Sequence, residues 1–154
     1  DHMSNYGVNA SIPKTVMKRL LSAYATLNPE YRDVLQGIID TPISPELLPS
    51  KDNEFAQQTE NSVGKYELQD FFMYHYLRNG FNYDKIFAYA CKAFAQTDST
   101  AIKNTLDIFY RRFYSQQFKR NCAPEAVDLF DISLNANRGF SMSSDISKAI
   151  EFQK

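Results

Sequence analysis

Apolar residues recur at helical spacing through most of the chain and alternate at strand spacing almost nowhere. Ser11-Ile12-Pro13 reads as a helix start, with Ser near the N-cap and Pro in the first turn. Val16, Met17, Leu20, Leu21 and Tyr24 continue it. Asn28-Pro29-Glu30 restarts a helix in the same way, with an apolar stripe of Tyr31, Val34, Leu35, Ile38 and Ile39 up to Asp40. Residues 41–49, TPISPELLP, hold three prolines and exclude a regular helix or central strand. Residues 51–64 are polar and predict a long exposed loop.

Helices resume at Tyr66. Leu68, Phe71, Phe72, Tyr76 and Leu77 fill one broad face up to Asn79-Gly80, a C-terminal stop. Asn82 is placed to cap a further helix that turns Ile86, Phe87, Ala90, Cys91 and Phe94 inward. Asp98-Ser99-Thr100 caps a long helix that runs to Cys122-Ala123-Pro124. Residues 123–143 read as irregular, with weak alternation from Val127 to Leu134. Ser143-Ser144-Asp145 then caps a short terminal helix over residues 146–152. The expected architecture is mainly α, about six helices with long irregular loops around an aromatic core, in one helical segment over residues 1–154.

The stretch Asp107–Cys122 carries the most chemistry. Phe109 and Phe113 stack one turn apart, with Tyr110, Tyr114 and Phe118 in a row beside them. Arg111, Arg112, Lys119 and Arg120 alternate with these rings. A core helix with a solvated basic edge and an anion or nucleotide site both fit this pattern. Lys14 stands at a helix N-terminus, where backbone N–H groups and the helix dipole favour an anion. A solvated lysine fits it equally well.

Charge changes the picture little: 17 Lys and Arg against 18 Asp and Glu give a net charge of −1. No global field points to nucleic acid or an acidic membrane, so a basic site must be local. No apolar run is long enough for a membrane span. The two cysteines, Cys91 and Cys122, lack C-x-x-C spacing, and a reduced cytoplasmic protein is the simplest expectation. His75 has no metal-spaced partner and reads as a structural histidine. No phosphate-binding glycine loop and no nucleophile elbow occur.

Several segments in order resemble one family. They are Asp40-Thr41-Pro42-Ile43-Ser44-Pro45-Glu46-Leu47, Gln57-Gln58-Thr59-Glu60, Gly64-Lys65-Tyr66-Glu67-Leu68-Gln69-Asp70-Phe71, and Arg112-Phe113-Tyr114 through Gln117-Phe118-Lys119-Arg120. Leu77-Arg78-Asn79-Gly80-Phe81 and Ser11–Thr15 fit the same set. Together they resemble the C-terminal part of the synthetase domain of glutamine-dependent NAD+ synthetases. Those are adenine-nucleotide alpha-hydrolase-like α/β enzymes whose parallel sheet lies upstream of this part. The family adenylates the carboxylate of deamido-NAD+ with ATP and Mg2+, and ammonia from an N-terminal glutaminase domain then displaces AMP.

The resemblance implies a ligase segment that is inactive alone and binds no cofactor by itself. Its implied partners are deamido-NAD+, ATP, the rest of the synthetase domain, the glutaminase domain and further copies in a homo-oligomer. The alternative is a non-catalytic helical interaction or oligomerisation module. Residue by residue, the resemblance implies ATP contacts at Lys14 and Ser44. It implies deamido-NAD+ contacts at Phe118, Lys119, Arg120 and Arg138, and neither a catalytic residue nor a metal ligand. Residues Asp1–Tyr6 are similar to the family's sequence before the I-P-K-T segment, which points to a native piece cut inside the domain rather than a cloning scar. Two departures stand out. Where the family has an R-G-D-W-R-type segment, this chain has Arg138-Gly139-Phe140-Ser141-Met142, without the acidic residue and the second arginine. Leu134-Asn135-Ala136-Asn137 replaces the usual L-S-P pattern.

Overall fold

The computed structural model describes residues 5–41, 64–135 and 140–146. Nearly all of the Pro-rich segment, of the 51–64 loop and of the expected terminal helix lies outside the described residues, as do Ser44 and Arg138. Among the described residues there are six α-helices and no strand longer than an isolated bridge. This bears out the mainly helical reading. The chain forms two compact units, one of residues 13–67 and one of residues 1–12 with 68–154.

The smaller unit holds α1 (Lys14–Leu27) and α2 (Arg32–Asp40), which pack against each other. A 3-10 turn, Pro29–Tyr31, joins them, and Asn28 donates its own amide and its side-chain amide to the Tyr24 carbonyl at 2.9 and 3.1 Å. The proline restart at Asn28-Pro29-Glu30 is therefore present, with its first turn tightened. Ser11 departs from expectation. Pro13 is the N-cap of α1 and provides no side-chain cap. The buried Ser11 hydroxyl instead donates to the Val127 carbonyl at 3.2 Å and accepts from the Leu129 amide at 3.0 Å. Together with a parallel bridge from Gly7 to Ala126, it ties the N-terminal lead-in to residues 125–129 of the larger unit.

The larger unit is built from α3 (Tyr66–Leu77), whose first two residues belong to the smaller one, α4 (Tyr83–Ala93), α5 (Ser99–Ser115) and α6 (Gln117–Asn121). The predicted caps hold. Asn82 accepts from the Lys85 amide and Asp98 from the Ala101 amide, each at 3.1 Å. Gly80 takes the left-handed conformation at φ 61°, and beside it the Phe81 amide reaches back to the His75 carbonyl at 3.1 Å. The core joins Leu68 and Phe72 of α3, Ile86 and Ala90 of α4, and Ile102, Leu106, Phe109, Tyr110 and Phe113 of α5. Its rings meet edge to face: Tyr76 lies 5.4 Å from Tyr110 and 5.2 Å from Phe113, and Phe72 lies 5.9 Å from Phe109. Tyr76 and Tyr114 share a 2.6 Å hydroxyl bond.

The long helix is the second departure. It does not run unbroken to Cys122 but ends at Ser115, turns at Gln116, and restarts as α6. No Pro or Gly marks this break in the sequence. Beyond the turn Gln117 is buried, four residues on from the buried Phe113.

Candidate functional site

Two basic features stand out, one in each unit. In the smaller unit the N-terminal turn of α1 borders a concave depression of about 210 Å³, lined by Lys14, Thr15, Lys18, Arg19, Tyr66 and Glu67. Lys14 and Lys18 lie one turn apart on the same face of α1, and Arg19, off that face, lines the depression with them. Their three positive charges face one carboxylate, that of Glu67. The first turn of α1 holds no acidic residue. The helix dipole therefore adds to the side-chain field and favours an anion here. Lys14 was legible from the sequence. Lys18 was missed although it stands one turn from Lys14, and Arg19 carries no such signal in its spacing.

In the larger unit the turn at Gln116 divides the Q-F-K-R segment by direction. Gln117 is fully buried. Its Oε1 accepts from Arg120 Nε at 3.0 Å and from Nη2 at 2.7 Å, and its Nε2 donates to Asn121 Oδ1 at 2.7 Å. Arg120 also donates to the Phe113 carbonyl and lies over the Phe113 ring, 4.6 Å from its centroid. Burial lowers the guanidinium's pKa from its ordinary value, the expected direction for a cation drawn out of water. Asn121 in turn donates to the Met142 carbonyl at 3.0 Å and to Ser144 Oγ at 2.7 Å, which fastens the 140–146 segment to α6.

Phe118 and Lys119 point the other way. Phe118 is 49% exposed, Lys119 is exposed, and the ammonium lies 5.9 Å from the Phe118 ring centroid. An exposed ring beside an exposed cation can stack on a planar group while neutralising an anionic one. The structure thus brings Phe118 and Lys119 together at the surface and turns Arg120 inward as their support. Phe140, at the point of departure from the family's R-G-D-W-R-type segment, packs 5.4 Å from Phe113 and 6.2 Å from Tyr76. An apolar ring there extends the core.

His75 has the structural environment its sequence context suggested. It stacks on Phe81 at 5.3 Å, meets Phe71 edge-on at 4.3 Å, and shares a 2.9 Å bond with the Asn79 side chain. Burial lowers its pKa. Among the described residues no group of carboxylates, histidines or thiols is arranged to hold a metal ion. Among them, too, no helix is long and apolar enough to cross a membrane.

No protein-family profile matches the chain. Individual relatives do. A glutamine-dependent NAD(+) synthetase of Mycobacterium leprae is 36% identical over 172 aligned positions, covering 97% of this chain and 25% of the relative. Glutamine-dependent NAD(+) synthetases of Mycobacterium bovis and Mycobacterium tuberculosis H37Rv are each 35% identical over the same shares. The chain spans about a quarter of the length of the curated relatives it matches. Nearly all of it is thus similar to a part of these proteins, which bears out the resemblance carried by its ordered segments.

Proposed function

We propose that this chain is the C-terminal helical part of the synthetase domain of a glutamine-dependent NAD+ synthetase. The parent protein amidates deamido-NAD+ to NAD+ in the cytoplasm, using ATP and an adenylated intermediate. The observation that carries this reading is 36% identity across 97% of the chain with a protein of that name. The two basic features supply what such a reaction asks of this segment. Adenylyl transfer requires cations to neutralise phosphate charge and hold the reacting groups in line.

In this reading Lys14, with Lys18 and Arg19 beside it, faces the ATP phosphates, and Ser44 belongs to the same subsite. Phe118 stacks on deamido-NAD+, and Lys119 meets its charged oxygens as a point charge. Arg120 and Arg138 complete the dinucleotide set, with Arg120 anchoring the turn that presents Phe118 and Lys119. Mg2+ enters with the nucleotide. Among the described residues no group is arranged to hold it. Ammonia comes from the glutaminase domain.

The test is amidation of deamido-NAD+ by the full-length protein that carries this segment. Wild type forms NAD+ from ATP and glutamine, and absence of that activity overturns the reading. Lys119→Ala lowers kcat/KM for deamido-NAD+ by one to two orders of magnitude, as expected for losing a charge-assisted contact of roughly 1.5–3 kcal/mol. Because Lys119 is exposed, its thermal stability stays unchanged. Unaltered kinetics in this variant would reject the assigned role.

A further inference from the structure

The α1–α2 pair has the pattern of a core element and almost no core. Ala25 is the one buried residue among the two helices. On α1, Met17, Leu21 and Ala25 form the stripe turned inward, and Leu20, Tyr24 and Leu27 lie along its flank at spacings of four and three. On α2, Leu35 and Ile39 turn inward, and Val34 and Ile38, with Tyr31 at its N-cap, lie along the flank of the same hand. Two packed helices joined by so short a turn run antiparallel. In that arrangement flanks of the same hand fall on one side. The six flank residues therefore make one apolar face, and all are exposed, from Leu20 at 49% to Val34 at 67% and Leu27 at 80%. Isolated exposed apolar residues are ordinary, but a contiguous face on two adjacent helices marks a contact surface.

We infer that this face docks, within the same polypeptide, against the part of the full-length protein that lies outside this chain. This rests on the reading given under Proposed function. The relatives are about four times as long as the region they share with this chain, so most of such a protein is available to cover the face. The face carries no charged side chain and only two hydroxyls, those of Tyr24 and Tyr31. Such a surface fits the apolar side of a folded layer, in the manner of a helix pair laid on a domain core. A short polar peptide or an anionic surface does not fit it.

Thiol labelling tests the assignment in a Cys91→Ser, Cys122→Ser background. Leu27→Cys and Val34→Cys report on the face, and Ser22→Cys, exposed on the opposite side of α1, serves as control. In the 154-residue chain all three react at similar rates. In the full-length protein Leu27→Cys and Val34→Cys slow on the order of tenfold or more, independent of protein concentration, and Ser22→Cys does not. Equal rates in both proteins overturn the inference. Slowing that vanishes on dilution also overturns it, since it identifies a second copy as the occupant. NAD+ synthesis by the full-length protein is assayed in parallel. Activity without protection removes the docking inference alone, and protection without activity removes the synthetase reading alone.

Discussion

Gln117→Ala is the most informative single perturbation of the described fold. The side chain is fully buried and makes three short bonds, two accepted from Arg120 and one donated to Asn121. Truncation removes the acceptor that holds the Arg120 guanidinium, leaving only the Phe113 carbonyl and ring to compensate a half-buried cation. Losing charge-assisted bonds of this kind costs about 1.5–3 kcal/mol. The Asn121 bond and the small void raise the expected loss to roughly 2–4 kcal/mol. That is a large share of the ~5–15 kcal/mol that stabilises an ordinary domain. Urea unfolding of the 154-residue chain, followed by far-UV circular dichroism, measures it. Gln117→Glu keeps the acceptors for Arg120 but loses the amide donor and sets a carboxylate oxygen against Asn121 Oδ1, so it is destabilised as well. A Gln117→Ala variant within about 0.5 kcal/mol of wild type refutes the weight given to these bonds.

Four further outcomes are expected. Phe72, fully buried between α3 and α5, loses roughly 3–5 kcal/mol on substitution by Ala in the same unfolding assay. The lowered pKa of His75 means that the unfolded chain binds its proton first as pH falls below about 6.5, so this residue's contribution is lost on acidification. Melting temperature therefore falls from pH 7 towards about pH 5.5, and His75→Phe, which keeps a ring against Phe81, reduces that slope. Burial of Tyr110 pushes its pKa up to about 12. The folded protein keeps the neutral phenol after the unfolded chain has ionised, so stability falls as pH rises from about 10 towards 12, and Tyr110→Phe flattens that limb. Finally, the purified 154-residue chain forms no NAD+ from deamido-NAD+, ATP and ammonia, as chromatographic product analysis would show.

Local chemistry is what made most of this fold legible. Asn82 and Asp98 cap their helices with atoms three residues away, and Gly80 supplies a backbone conformation that few other residues adopt. These interactions belong to the neighbourhood of each residue and can be read from it. Ser11 follows the same local rule on paper, yet its hydroxyl bonds residues 116 and 118 positions away. A nonlocal partner outcompeted the cap, and nothing within one turn of Ser11 announces that partner.

The candidate site divides along the same line. The sequence determined that aromatic and basic residues share Asp107–Cys122, that Lys14 opens a helix, and that the ordered motifs resemble one enzyme family. Helical spacing already sets Gln117 and Arg120 four and seven residues beyond the buried Phe113, on its side of the helix, with Phe118 and Lys119 off it. What tertiary structure alone decided is that this side carries on into the interior past the aromatic rings. The physical reason is that a buried amide must find partners. Arg120 and Asn121 are local ones, three and four residues away, but the Met142 carbonyl is 25 residues away and comes within reach only because the 140–146 segment lies against α6.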